Sequence, residues 1–154
     1  KKMENVSIKE VNIVGISIRT TNENSQAAKD IPELWNKFMT ERILEQIPNK
    51  IDHSIYSIYT KYQSDHNEPY TAILGCKVSS VENIPDGMIA QTIQSGNYTK
   101  FVAKGNLNAG VVYEEWLKIW DSKLNRKYTT DFEIYGEKAQ NPNDAEVEIF
   151  IASK

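Results

Sequence analysis

Glu133 is the residue of this sequence best placed to do chemistry with a charge. It lies in the run Asp131-Phe132-Glu133-Ile134-Tyr135-Gly136, whose alternation reads as a strand. Successive strand side chains point to opposite faces, so Phe132 and Ile134 share one face and Glu133 and Tyr135 the other. If helices cover that second face, the acid is buried beside a phenol. A carboxyl buried there without a charged partner has its pKa raised. If the face is open to water, Glu133 only decorates it. The closing run Glu146-Val147-Glu148-Ile149-Phe150-Ile151 puts Glu148 on one face with Phe150, and there Glu146 and Glu148 read as solvated.

Aromatic residues are the second resource: three Trp, eight Tyr and four Phe. Trp35, Trp116 and Trp120 fall on the apolar faces of two helical segments, and strand-like segments add Tyr56, Tyr59, Tyr62, Tyr98, Tyr135 and Phe150. Such rings fill a core, or, clustered on two helices and the intervening sheet, they line a cavity that holds flat or cationic ligands by stacking and cation–π contact. The remaining reactive types carry less. Cys76 shares strand parity with Leu74 and Val78 and reads as a small buried hydrophobe, and His53 and His66 read as surface or structural histidines. One cysteine and two histidines cannot build a zinc cluster. No phosphate-binding glycine loop, dinucleotide fingerprint or nucleophile-elbow motif occurs, so the residues suggest neither a metal nor a cofactor.

These side chains need elements to position them. Asp30-Ile31-Pro32-Glu33 has the form of a capping box with proline in the first turn, and Ile31, Leu34, Trp35, Phe38, Met39, Ile43 and Ile47 follow at helical spacing. In a second helix, capped by Asn108, Val112, Tyr113, Trp116, Leu117, Trp120 and Leu124 form one face and Glu114, Glu115, Lys118 and Asp121 the other. Strands are predicted over 7–20, 54–62, 70–78, 88–93, 97–103, 130–136 and 146–152, separated by polar turns. The order strand, helix, strand, strand over roughly 7–78 is followed by much the same again over 88–152, which suggests two copies of one unit. The expectation is an α+β fold, a single domain over 1–154, with two tandem strand-helix-strand-strand modules related by pseudo-twofold symmetry. It has an antiparallel sheet, two main helices and a central cleft.

Composition narrows the function. The 154 residues carry 18 Lys and Arg against 21 Asp and Glu, a net charge of -3, and no basic run longer than two, which argues against direct nucleic-acid binding. No apolar run approaches the roughly 18 residues of a membrane span, and the first residues lack a signal-peptide core. The expected location is the cytoplasm.

Taken together, these segments resemble the GyrI-like effector-binding superfamily, the drug-sensing domain attached to AraC-type and MerR-type regulators, and its stand-alone branch of integron-associated effector-binding proteins. The resemblance is carried by Asn12-Ile13-Val14-Gly15-Ile16, Leu34-Trp35-Asn36-Lys37-Phe38, Ser95-Gly96-Asn97-Tyr98-Thr99-Lys100-Phe101 with Lys104-Gly105, Tyr113-Glu114-Glu115-Trp116-Leu117, Asp131-Phe132-Glu133-Ile134-Tyr135 and Glu148-Ile149-Phe150-Ile151. It implies an aromatic cleft with a buried glutamate, matched by Glu133, that pairs with lipophilic cations. Trp35, Trp116, Tyr98 and Tyr135 fall on motif positions, and Trp120, Phe38, Tyr113 and Phe150 complete the expected lining. Two departures are Lys118-Ile119, where relatives carry a proline and a Ser-Gly-Tyr turn, and Phe150 in place of a tyrosine. The implied function is capture of a hydrophobic or cationic small molecule by a sensor or sequestration module without its own DNA-binding segment, acting beside a separate regulator protein. Two alternatives share the resemblance. One is hydrolysis of cyclopropane-bearing genotoxins by Glu133 with Tyr135 or Tyr98; the other is a protein-interaction role such as gyrase inhibition.

Overall fold

The computed structural model describes residues 3–65 and 67–154; His66, read above as a surface or structural histidine, lies outside the described residues. Two five-element units follow one another. The first comprises β1 (Glu4–Ile8), β2 (Val11–Thr20), α1 (Gln26–Thr40) with a short α2 (Ile43–Gln46), β3 (Ile55–Thr60) and β4 (Tyr70–Lys77). The second comprises β5 (Ile89–Ile93), β6 (Gly96–Gly105), α3 (Val111–Asp121), β7 (Arg126–Tyr135) and β8 (Ala145–Ser153). All strands join one eight-stranded antiparallel sheet in the order β1-β6-β8-β7-β3-β4-β2-β5. Exchanging β1 with β5, β2 with β6, β3 with β7 and β4 with β8 reverses this order onto itself, which puts the pseudo-twofold axis between β3 and β7. The α+β class and the duplicated architecture are as the sequence pattern predicts.

The predicted single strand over 7–20 is instead two strands. Lys9 and Glu10, both exposed, carry the chain from β1, at one end of the strand order, to β2, next to the other end. Three residue steps reach about 11 Å at most, so the two ends of the sheet must curl toward each other, and the equally short passage from Ile93 to Gly96 demands the same. Ile13, Ile58, Ile93, Tyr98, Phe132 and Phe150 fill the inside of the curl, with Val6, Ile8 and Ile89 packed against them. The opposite face carries the helices. Leu34 and Phe38 of α1 pack on Val14, Ile16, Leu74 and Cys76, while Trp116 and Ile119 of α3 pack on Phe101, Val147, Ile149 and Ile151. Each such fully buried side chain contributes about 1.5–3 kcal/mol. Cys76 is a fully buried member of this core, and burial raises its thiol to about 11. Gly15 and Gly75 face each other across β2 and β4, where a Cβ on Gly15 would stand 1.9 Å from the Leu74 carbonyl oxygen. Only glycine fits that approach.

Helix boundaries correct the expected caps. α1 starts at Gln26, so Asp30 is not its cap: its Oδ2 accepts hydrogen bonds from Thr20 Oγ1 at 2.8 Å and Gln26 Nε2 at 3.0 Å, tying the helix to the end of β2. Pro32 is interior, and lacking an N–H it leaves the Ala28 carbonyl without its helical donor. Before α3, Asn106 rather than Asn108 caps a single turn, its Oδ1 accepting from the Asn108 N–H at 2.8 Å, and Gly110 then enters the helix at φ 82°. The buried stripe of α3 is narrower than predicted, because Tyr113 and Leu117 are exposed while Glu115 is buried. Among the described residues, no helix is long and apolar enough to cross a membrane.

Candidate ligand cavity

Between α1 and α3, over the middle of the sheet, lies a cavity of about 420 Å³. α1 supplies Ala28, Ile31, Pro32 and Trp35; α3 supplies Val112, Tyr113, Trp116 and Trp120; the strands supply Tyr59, Tyr70, Arg126, Glu133 and Tyr135, with Tyr62 from the chain just after β3. The cavity sits beside the β3–β7 seam, so the pseudo-twofold axis that duplicates the unit also opens the space between its two helices.

Glu133 is its polar centre and is 2% exposed. Oε2 accepts from Trp116 Nε1 at 2.6 Å and from the Tyr59 hydroxyl at 3.1 Å, and Oε1 accepts from the Tyr135 hydroxyl at 2.7 Å. Ser57, opposite Glu133 in the register, donates to the Tyr59 oxygen at 3.0 Å and so orients that phenol. All these donors are neutral, and among the described residues Glu133 belongs to no ion pair. Burial therefore raises the carboxyl above its ordinary pKa, and the three hydrogen bonds pull it back only in part. Burial, followed by the neighbouring carboxylate, pushes Tyr59 and Tyr135 well above the usual phenol range, so both remain donors. The rings around the acid pack edge to face: Trp35 on Tyr135 at 4.9 Å between centroids, Tyr59 on Trp116 at 5.6 Å, and Tyr59 on Tyr70 at 6.1 Å. Trp116 and Trp120 extend the wall at 6.0 Å.

A second buried acid lies two residues away. Asp131 is fully buried, and its Oδ2 accepts from Arg126 Nη2 at 2.8 Å and the Tyr62 hydroxyl at 2.5 Å, while Oδ1 accepts from the Ala152 N–H at 2.9 Å. Burial raises this carboxyl too, and the guanidinium, the phenol and the amide each oppose that rise. Arg126 reaches Asp131 because β7 bulges between them: its pairing with β8 shifts register there, and Tyr128 adopts φ 59°. The Tyr128 ring stacks on the guanidinium at 4.3 Å.

Of the residues expected to bind ligand, the structure gathers Glu133, Tyr135, Trp35, Trp116, Trp120 and Tyr113 on one cavity and excludes three. Tyr98 and Phe150 point to the inside of the curled sheet, packed on Phe132 at 5.5 and 4.8 Å, and the Tyr98 hydroxyl donates to the Gln94 carbonyl at 2.8 Å. Their strand parity is that of Phe132, not of Glu133, so Tyr98 cannot assist Glu133 in catalysis either. Phe38 is fully buried in the core under α1, one turn from Trp35 but facing the sheet. Tyr59 and Tyr62, counted by the sequence among the rings that either fill a core or line a cavity, stand in the cavity, and Tyr70 and Arg126 join them without a sequence signal. Parity could have placed Ser57 and Tyr59 on one face of β3, but which strand lies beside Glu133 is a property of the register. Glu148 and Glu146 are surface residues, bonded to Lys100 at 3.0 Å and to Lys104 at 3.3 Å.

Comparison with known proteins agrees with the fold. Residues 6–152 match the family of integron-associated effector binding proteins. The integron cassette protein VCH_CASS2, from the mobile metagenome of Vibrio cholerae, is 31% identical; its crystal structure superposes with a TM-score of 0.74, covering 99% of this chain and 95% of that one. YobU of Bacillus subtilis (strain 168), provisionally named a transcriptional regulator, is 29% identical over 146 residues, 91% of this chain and 90% of its own length. The structure of SAV2435 bound to tetraphenylphosphonium shares the fold at 16% identity, with a TM-score of 0.82 over 100% of this chain and 94% of that one.

Proposed function

Because the chain belongs to the integron-associated effector-binding family, its role is to bind a small molecule, and we propose that the ligands it takes are lipophilic aromatic cations, held at Glu133 for sensing or sequestration. The observation that carries this reading is the charge balance of the buried groups. Arg126 and Asp131 neutralise each other at 2.8 Å, whereas Glu133 is surrounded by neutral donors only. When Glu133 is ionised, one unit of negative charge is thereby left in a cavity walled by indole and phenol rings. A hydrated ammonium would give up too much solvation to enter, but a cation whose charge is spread over an apolar body loses little water and gains both the carboxylate and the ring faces. About 420 Å³ is within the usual range of small-molecule sites. SAV2435, which shares the fold, is known with tetraphenylphosphonium bound.

The test uses shape-matched ions of opposite charge. Tetraphenylphosphonium should quench the fluorescence of Trp35, Trp116 and Trp120 saturably, and tetraphenylborate should not. Equal quenching by both would overturn the cation reading and leave a cavity selective for shape alone.

A further inference from the structure

Arg126 is bonded on one side only. Its Nη2 donates to Asp131, but among the described residues its Nε and Nη1 N–H groups have no acceptor, although both are buried. The side chain is 4% exposed and lines the same cavity as Glu133. Leaving buried donors unmet costs about 1–3 kcal/mol each, and structures rarely keep two on one side chain without a use for them.

We propose that Arg126 is a second ligand subsite, one that takes a neutral hydrogen-bond acceptor such as a carbonyl or amide oxygen, so that the preferred ligand is an aromatic cation carrying an acceptor at its far end. This rests on the cation reading of Glu133 and adds a polarity to the ligand. The acceptor is neutral because Asp131 already balances the guanidinium, and a second anion beside that carboxylate would be repelled. The spacing suits one ring. Asp131 and Glu133 lie two residues apart along β7, roughly 7 Å, and the guanidinium is one hydrogen bond beyond Asp131. A para-substituted phenyl group spans a gap of that order. Both free donors are closed to solvent as the side chains stand, so filling the subsite requires a local shift of the side chains around Arg126.

The experiment compares tetraphenylphosphonium with (4-carbamoylphenyl)triphenylphosphonium, the same cation with one acceptor added, by tryptophan quenching and calorimetry. The wild type should bind the carbamoyl cation about tenfold more tightly, the scale of one well-placed hydrogen bond. Arg126→Lys keeps a charge for Asp131 but replaces the Nε and Nη1 donors of the planar fork by an ammonium whose N–H groups all sit on the one nitrogen that pairs with Asp131, and should bring the two affinities within about twofold of each other. A third probe, uncharged 4-phenylbenzamide, reads Arg126 without Glu133: it should bind the wild type weakly and lose that binding in Arg126→Lys. Equal affinity of the two cations for the wild type, or a tenfold preference that survives in Arg126→Lys, would overturn the subsite. Failure of both cations with retained, Arg126-dependent binding of 4-phenylbenzamide would support the subsite while overturning the cation reading of Glu133.

Discussion

Asp131 and Glu133 stand two residues apart on the same face of β7, both sealed from solvent, and their surroundings differ in one respect. Asp131 has a guanidinium, a phenol and a backbone amide as partners; Glu133 has two phenols and an indole. The number of hydrogen bonds is the same, three to each carboxylate. What differs is charge. The bonds around Glu133 fix its position without cancelling it, whereas Arg126 cancels Asp131. On the function proposed above, a single residue divides two equally buried acids between structure and binding, and the division can be tested from both sides.

The largest effect is expected at the structural acid. Asp131→Ala would strand the Arg126 guanidinium in the interior, and breaking a buried pair from one side costs about 3–5 kcal/mol. Urea denaturation should show a loss of that size. A loss below about 1 kcal/mol would mean that Asp131 and Arg126 are not the compensated pair described here.

At Glu133 the same kind of change should, on the proposed reading, cost affinity instead of stability. Glu133→Gln keeps the shape and an acceptor oxygen for Trp116 and Tyr59, with its amide NH2 facing the Tyr135 hydroxyl, which can turn to accept; it removes the charge, so tetraphenylphosphonium binding should weaken roughly ten- to a hundredfold, matching the 1.5–3 kcal/mol typical of a charged hydrogen-bonding group. Denaturation at pH 8 should find this variant at least as stable as the wild type, because the buried charge it lacks is unfavourable to folding. A Glu133→Gln protein that binds normally but unfolds easily would reverse the roles of the two acids.

Titration sharpens the comparison further. The folded pKa of Glu133 lies above its ordinary 4.5, so the folded state holds this proton more tightly than the unfolded chain. The stability linked to it is complete below pH 4.5 and is lost as pH rises through the folded pKa. Cation affinity runs the other way, increasing as the carboxyl ionises and levelling off above the folded pKa. Binding at a pH near that value should release a proton, measurable as a calorimetric heat that varies with the ionisation enthalpy of the buffer. In Glu133→Gln the release should vanish, and its persistence would assign it to another group.

The sequence pattern revealed local relations and missed distant ones. Parity on β7 is enough to put Glu133 and Tyr135 together and to oppose Phe132 and Ile134, and helical spacing is enough to find Trp35, Trp116 and Trp120. The Tyr59 hydroxyl reaches Glu133 across 74 positions of chain, and nothing local states that β3 lies beside β7. The Arg126–Asp131 pair depends on a bulge at which Tyr128, not a glycine, takes a positive φ, so no turn signal marks it. Strand 7–20 was read whole because Lys9 and Glu10 do not break the β pattern; the break comes from the curl of the sheet.

Tyr98 offers the smallest expected effect and tests the face assignment directly. By its position in the motif it belongs with the ligand residues, but its ring lies against Phe132 on the inside of the curled sheet, with its hydroxyl on the Gln94 carbonyl at 2.8 Å. Removing that hydroxyl leaves the packing in place and breaks one hydrogen bond. Tyr98→Phe should therefore cost about 0.5–1.5 kcal/mol of stability and leave tetraphenylphosphonium affinity within about twofold, whereas Tyr135→Phe, which removes a donor to Glu133, should change the affinity measurably. Should Tyr98→Phe weaken binding as much as Tyr135→Phe does, the ligand would be reaching the inner face of the sheet, and the cavity between α1 and α3 would not be its site.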